Sequence, residues 1–231
     1  MPDSAKIITT EDGSHSIFLP TLNETYHSFH GAVQESRHVF LKEGLQYWIN
    51  RSTDQPEKAS ILEIGMGTGL NVLLTLEYAL QNALSIDFDT IEKYPVEISL
   101  AAQLNYVESC NIENAAKAYE DIHQAIWNIS TAIHDLFTIH KYQDDLISMN
   151  IPNKAYDLVY FDAFAPSKQP EMWEEAVFEK IYSVQKVGGI LTTYSAQGKL
   201  KRTLQGVGYE VEKIPGPPGK REMIRAIKKP H

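Results

Sequence analysis

From residue 60 onward, short apolar runs alternate with stretches whose apolar residues recur at helical spacing. A helix repeats its buried face about every 3.6 residues and a strand about every second residue, so the two kinds of stretch separate on pattern alone. Strands are predicted at residues 60–64, 84–91, 136–142, 156–161, 190–194, 209–214 and 222–227. Helices are predicted at residues 31–50, 70–80, 113–130, 174–185 and 199–205. A further helix starts at Pro95, a residue suited to the first helical turn, and runs to about residue 106. Val39, Phe40, Leu45, Trp48 and Ile49 give the first helix its apolar stripe. Residues 156–161 are almost continuously apolar, as a strand buried on both faces in a parallel sheet requires. Residues 1–30 lack helical periodicity, and Asp12-Gly13 marks a hairpin turn. Residues 51–60 form a polar linker around Pro56, and Gly188-Gly189 reads as a turn before the fifth strand. The alternation predicts an α/β fold: a doubly wound, seven-stranded, mostly parallel, Rossmann-like sheet with a C-terminal antiparallel hairpin. Residues 1–55 are expected to be an N-terminal extension packed on a domain formed by residues 56–231.

Composition narrows the class. With 231 residues, 43% hydrophobic and 22% charged, the chain suits one soluble domain with a full core. One cysteine, Cys110, excludes an internal disulfide framework and a cysteine-cluster metal site. His30, His38, His134 and His140 have no metal-ligand spacing, so no metal is expected. The N-terminus lacks an apolar signal region and no stretch reaches membrane-spanning length, so a cytoplasmic protein without a membrane partner is expected. The net charge of −9 is unevenly spread: residues 185–231 hold ten Lys/Arg against three acids, and the rest is acidic. That basic quarter suits a local anionic partner, or is solvated surface.

The chemistry concentrates at strand ends, where open α/β sheets bind ligands. Residues 61–71 read ILEIGMGTGLN, an acid followed by glycines at alternate positions and then a helix. Glycines there allow turn geometry and close approach of a ligand to the backbone. Dinucleotide sites prefer G-x-G-x-x-G. The E-x-G-x-G-x-G spacing instead resembles motif I of S-adenosylmethionine (SAM) methyltransferases, which makes Glu63, Gly65, Gly67, Gly69 and Asn71 cofactor-binding candidates. Glu92 ends the second strand, where an acid can accept both ribose hydroxyls; a solvated strand-end charge is the alternative. Asp144 or Asp145, after the third strand, could accept from an adenine amino group or cap a helix. Asp162 ends the fourth strand. A carboxylate there can hold a substrate amine and take its proton, or cap a turn. Phe164 and Pro166 supply an aromatic and rigid wall, and the run continues through Lys168 to Trp173.

Three segments together resemble the methyltransferase half of the MnmC family of tRNA wobble-uridine enzymes, also found as a stand-alone MnmD type: ILEIGMGTGLN at 61–71, FDAFAPSKQPEMW at 161–173 and GKREM at 219–223. Residues 31–40, GAVQESRHVF, match more weakly. The resemblance spans about residues 10–228. It implies methyl transfer from SAM to the aminomethyl nitrogen at position 5 of the wobble uridine, often 2-thiolated. It implies Asp162 as the active-site aspartate, and Gly65, Gly67, Gly69, Glu92 and Asp144 as cofactor positions. The chain departs from the family in having Gln143 before Asp144, and Pro-Gly-Pro-Pro-Gly at 215–219 where Gly-Phe-Gly is common. No segment resembles the FAD-oxidase half, so upstream enzymes are expected to make the aminomethyl substrate. The partner implied is the anticodon region of tRNA. Lys199, Lys201, Arg202, Lys220, Arg221 and Arg225 follow the fifth strand; Lys199, Lys220 and Arg221 are RNA-binding candidates, and Tyr194 or Phe164 could stack on a splayed base. Two other readings stay open: a SAM-dependent transferase acting on a small-molecule amine, and a catalytically silent module that only binds RNA or a protein.

Overall fold

The computed structural model describes residues 5–52 and 54–230. Residues 1–4 and Thr53, in the predicted extension and linker, and residue 231 lie outside them. The described chain opens with a small antiparallel sheet in the order β1 (Lys6–Thr9), β2 (His15–Leu19) and β3 (Glu24–Thr25). The predicted Asp12-Gly13 turn joins β1 to β2. Asp12 Oδ1 accepts from the Thr10 hydroxyl at 2.8 Å and the Ser14 N–H at 3.0 Å.

A helix follows in three continuous pieces: α1 (Ala32–Ser36), a π-helical segment (Arg37–Gln46) and α2 (Tyr47–Arg51). Its predicted stripe faces inward where it was expected to, with Val39, Phe40 and Leu45 buried. Phe40 packs on Tyr160 of the large sheet with ring centroids 5.1 Å apart. The N-terminal half therefore shares one core with the sheet.

Then β and α alternate: β4 (Lys58–Ile64), α3 (Leu70–Asn82), β5 (Ser85–Ile91), α4 (Ile98–Ala101), α5 (Ala115–Gln124), β6 (Ser130–His134), β7 (Phe137–Tyr142), β8 (Tyr156–Phe161), α6 (Glu175–Val184), β9 (Gln185–Thr193), α7 (Gly198–Val207), β10 (Tyr209–Pro215) and β11 (Glu222–Lys228). The sheet order is β10-β11-β9-β8-β4-β5-β7-β6. The strands from β9 to β7 run parallel, while β6, β11 and β10 pair antiparallel. Every residue of β8 is buried, so each large apolar side chain there contributes roughly 1.5–3 kcal/mol by leaving water.

Three expectations are corrected. The large sheet has eight strands among the described residues, not seven, because residues 130–134, of which only Ser130 was expected in a helix and the rest in no element, form edge strand β6. The helix expected from Pro95 shrinks to α4 and a single 3₁₀ turn at Tyr106–Ser109, although Val96, Ala101, Leu104 and Tyr106 are all buried. Gly188-Gly189 lies inside β9, where the pairing with β8 shifts register between Tyr156 and Leu158. Among the described residues no helix is long and apolar enough to cross a membrane. β4 connects onward to β5 on one side while β8 lies on its other side, so the sheet's switch point falls between the ends of β4 and β8.

Candidate active site

A cleft of about 1140 Å³ opens at that switch point. The glycine loop forms its floor. Gly65 (φ +88°) lies so close to the end of β8 that a Cβ would come within 2.8 Å of the Asp162 carbonyl oxygen. The strand ends are also tied by the Gly65 N–H donating to the Ile91 carbonyl and the Asp162 N–H donating to the Ile64 carbonyl, both at 2.9 Å. Gly67 (φ +51°) faces the Tyr26 ring, which a Cβ would meet at 2.8 Å. Gly69 caps α3. Tyr119 fixes the loop from below, its hydroxyl donating to the Thr68 carbonyl at 2.6 Å.

The acids differ in their placement. Glu92 lines the cleft and accepts from the Gly67 N–H at 3.1 Å and the Tyr94 N–H at 2.8 Å; burial raises its pKa. Asp144 and Asp145 both line the cleft. Asp145 is committed to Lys93 at 2.9 Å and to the Ile147 N–H at 3.0 Å, and the Lys93 bond holds its carboxyl below the usual range. Asp144 accepts only from the Asp145 N–H among the described residues, at 2.7 Å, and is exposed. Glu63 does not reach the cleft wall. It lies fully buried behind the loop, where the Thr90 hydroxyl donates to it at 2.7 Å.

Asp162 faces the glycine loop. Asn71, on the first turn of α3, donates its amide to Asp162 Oδ2 at 2.9 Å. Burial, reinforced by the Glu35 charge, pushes the Asp162 carboxyl up to about 7; the Asn71 hydrogen bond and Lys220 pull the other way. The carboxyl is therefore close to half-ionised near neutrality and can take or give a proton there. Phe164 is held by its N–H on Gln169 Oε1 (3.1 Å) and its carbonyl on the Trp173 indole (2.8 Å). Its ring meets Tyr26 edge-on, centroids 5.1 Å apart. Lys168 also lines the cleft, but its ammonium is spent on the Leu22 carbonyl at 2.9 Å, tying the loop to the N-terminal sheet.

The basic candidates divide. Lys220 is on the cleft wall, not at a phosphate-facing rim: it pairs with the buried Glu35 at 2.6 Å and lies 3.9 Å from the Tyr194 ring centroid. Arg225 is buried between Glu43 and Glu212, both at 2.9 Å, and faces no ligand. Lys199 is exposed and paired with Glu174 at 3.0 Å, outside the cleft lining. Pro166 and Arg221 also lie outside the lining, Pro166 half-buried and Arg221 exposed.

Three cleft residues escaped the sequence reading. Tyr26 covers Gly67. His27 bonds the Thr68 hydroxyl at 2.8 Å, and burial lowers its pKa to about 4, so the ring is neutral. Glu35 accepts from the Ser28 N–H at 2.7 Å and from Lys220. Glu35 alone left a signal: an acid within a helix turn flanked by the buried Ala32, Val33 and Ser36.

A glycine loop under a cleft, an acid at the end of the neighbouring strand and a buried carboxyl across the switch point are the arrangement by which Rossmann-like sheets hold a nucleoside-bearing cofactor. The chain belongs to the S-adenosyl-L-methionine-dependent methyltransferase family, whose profile matches residues 110–229. A protein of Leptospira borgpetersenii serovar Hardjo-bovis named tRNA 5-methylaminomethyl-2-thiouridine biosynthesis bifunctional protein MnmC is 34% identical over 213 residues, covering 87% of this chain and 32% of that protein. The protein of the same name from Cupriavidus metallidurans is 29% identical over 240 residues, covering 97% of this chain and 34% of its own length. The chain thus spans about a third of the curated relatives it matches. The crystal structure of MNMC2 from Aquifex aeolicus shares the fold, with a TM-score of 0.74 over 100% of this chain and 74% of that one at 22% identity. The cofactor is S-adenosylmethionine. The residues fit it: Gly65 and Gly67, both with positive φ, line the cleft, Gly69 behind them turns toward His123, and Glu92 and Asp144 bring acceptor oxygens to the same cleft.

Proposed function

We propose that the chain methylates the aminomethyl nitrogen at position 5 of the tRNA wobble uridine, giving the methylaminomethyl form. The observation that carries the reading is Asp162: a carboxyl pushed up to about 7, bonded to Asn71, on the wall of a cleft floored by the glycine loop. The names of the relatives support the substrate, as do the matching segments at 161–173 and 219–223. SAM supplies an electrophilic methyl group on a sulfonium sulfur. Gly65, Gly67 and Gly69 would hold its methionine part, Glu92 its ribose hydroxyls and Asp144 its adenine amino group.

Asp162 does the proton chemistry. The acceptor amine arrives largely as an ammonium, which has no lone pair to attack with. An ionised Asp162 attracts that ammonium, takes one proton and leaves a neutral nitrogen facing the cofactor. Asn71 fixes the carboxyl by its bond to Oδ2, and Phe164, Tyr26 and Tyr194 enclose the amine in an aromatic wall that excludes water. Labelled SAM incubated with tRNA lacking the wobble modification tests the reading by nucleoside analysis. Label is expected in methylaminomethyluridine or its 2-thio form. Label confined to small-molecule amines, or to another tRNA position, would sink it.

A further inference from the structure

Among the described residues, two buried acceptors behind the glycine loop lack a donor. Glu63 is 0% exposed; its Oε2 takes the Thr90 hydroxyl at 2.7 Å, while Oε1 has no partner. Asn71 is 4% exposed; its amide nitrogen serves Asp162, while its Oδ1 has no partner. The Asn71 side chain lies beside Glu63, where an amide donor would favour the ionised carboxyl, but its amide nitrogen is committed to Asp162, so one carboxamide stands between the two carboxyl groups. The charged and titratable groups acting on Glu63 are Asp162 at the end of β8, Glu92 after β5 and Tyr160 within β8; no cation is among them. Stranding a carboxylate there, without a counter-charge, is costly.

We propose that Glu63 is a neutral, protonated acid that donates from Oε1 to Asn71 Oδ1 and thereby fixes the Asn71 amide nitrogen on Asp162. One proton satisfies both orphaned oxygens at once. It also settles which carboxyl of the pair carries the charge: Asp162, on the cleft wall, and not Glu63 behind it. Glu63 is then a positioning residue acting through Asn71, and not an ionised contact for the cofactor's ammonium group. Burial favours the same protonation, since it holds the Glu63 pKa well above the ordinary carboxyl range. The consequence for turnover rests on the methyl-transfer reading of Asp162; the protonation does not.

Infrared spectroscopy of protein carrying ¹³C-glutamate reads the proton without any turnover. A carboxylic-acid carbonyl band that shifts with the label, persists from about pH 6 to 8 and is missing in Glu63→Gln is expected. Calorimetry should find SAM affinity in Glu63→Gln within about 3-fold of the parent, because an amide reproduces the neutral acid's donor and acceptor. In Glu63→Leu the donor to Asn71 is gone. The acidic limb of kcat/KM should move up by roughly one pH unit and kcat fall about 10-fold, with Glu63→Gln restoring both. Should Glu63→Leu fail to fold, the spectrum and the Gln variant still decide. The absence of a Glu63-dependent acid band, or a loss of SAM affinity of about 10-fold or more in Glu63→Gln, overturns the proposal. Failure of tRNA methylation with the acid band present overturns only the substrate reading.

Discussion

At the residue scale, Asp162 trades stability for chemistry. Its carboxyl has an ordinary value of 3.8 and is pushed up to about 7 in the fold, chiefly by burial. Between those values the folded chain binds a proton that the unfolded chain has released. Its contribution to stability is thus full below pH 3.8 and lost as pH rises through about 7. Asp162→Asn has no charge to bury. It should be more stable than the parent at pH 8 by about 1–2 kcal/mol, or roughly 2–8 °C in Tm, with the difference shrinking toward pH 4. The same variant should bind SAM nearly normally and turn over about 100-fold more slowly, with the parent's kcat/KM rising with pH through about 7. Melting curves at the two pH values and a methyl-transfer pH profile check both halves; equal stability at pH 8 or an unchanged rate would refute them. Asp162 was legible in sequence because it follows directly on a nearly all-apolar strand, at the end where open sheets bind ligands. Tyr26 and His27 were not, and Glu35 left only its place in an apolar helical turn, because all three enter the cleft from segments more than 100 residues upstream of Asp162.

At the scale of elements, the glycine loop is coupled to the N-terminal sheet. Gly67 faces the Tyr26 ring, and Lys168 reaches back to Leu22. Gly67→Val would put a branched side chain into left-handed backbone and against that ring. SAM affinity measured by calorimetry should drop at least about 10-fold in a protein that remains folded; unchanged affinity would move the cofactor away from this loop. Strands with both faces buried were easily read: residues 156–161 coincide with β8 because the run is too short for a helix and rich in aromatic and β-branched residues. β6 escaped because an edge strand with one neighbour needs little apolar alternation, and its residues are exposed or half-buried. Residues 96–106 show the opposite error. Val96, Ala101, Leu104 and Tyr106 are buried and Ile98 is exposed, and the backbone reaches this arrangement through α4 and turns. Gly188-Gly189 carried a true signal with two solutions, since a β-bulge uses the same conformational freedom as a turn.

At the scale of the whole molecule, the basic C-terminal quarter is mostly neutralised internally. Lys186, Lys199, Lys213, Lys220, Arg225 and Lys229 all pair with acids. Among the described residues Lys201, Arg202, Arg221 and Lys228 make no ion pair, and Lys228 is held by the Tyr182 and Gln185 carbonyls, so the first three are the charges available for phosphates. Replacing all three by Ala should weaken tRNA binding and lower the salt slope by about two to three, one for each phosphate left without its cation. Lys220→Ala should act elsewhere: it removes a cation that holds the Asp162 carboxyl down, so the acidic limb of the rate profile moves up. Filter binding across a salt series separates the two; an unchanged slope in the triple variant would return these residues to solvated surface.

The ion pair of Glu35 with Lys220 joins residues 185 positions apart. It also fixes when the cleft becomes complete. β11 lies between β9 and β10, so β10 stays unpaired and the β9 edge open until residues 222–228 have been made. At about 5–20 residues per second, synthesis needs roughly 3–13 s to travel from Asp162 to that strand. Throughout that interval the newborn chain holds the Asp162 carboxyl and the glycine loop but not the lysine wall between Glu35 and Tyr194. The cleft wall is therefore complete only after residues 222–228 have emerged.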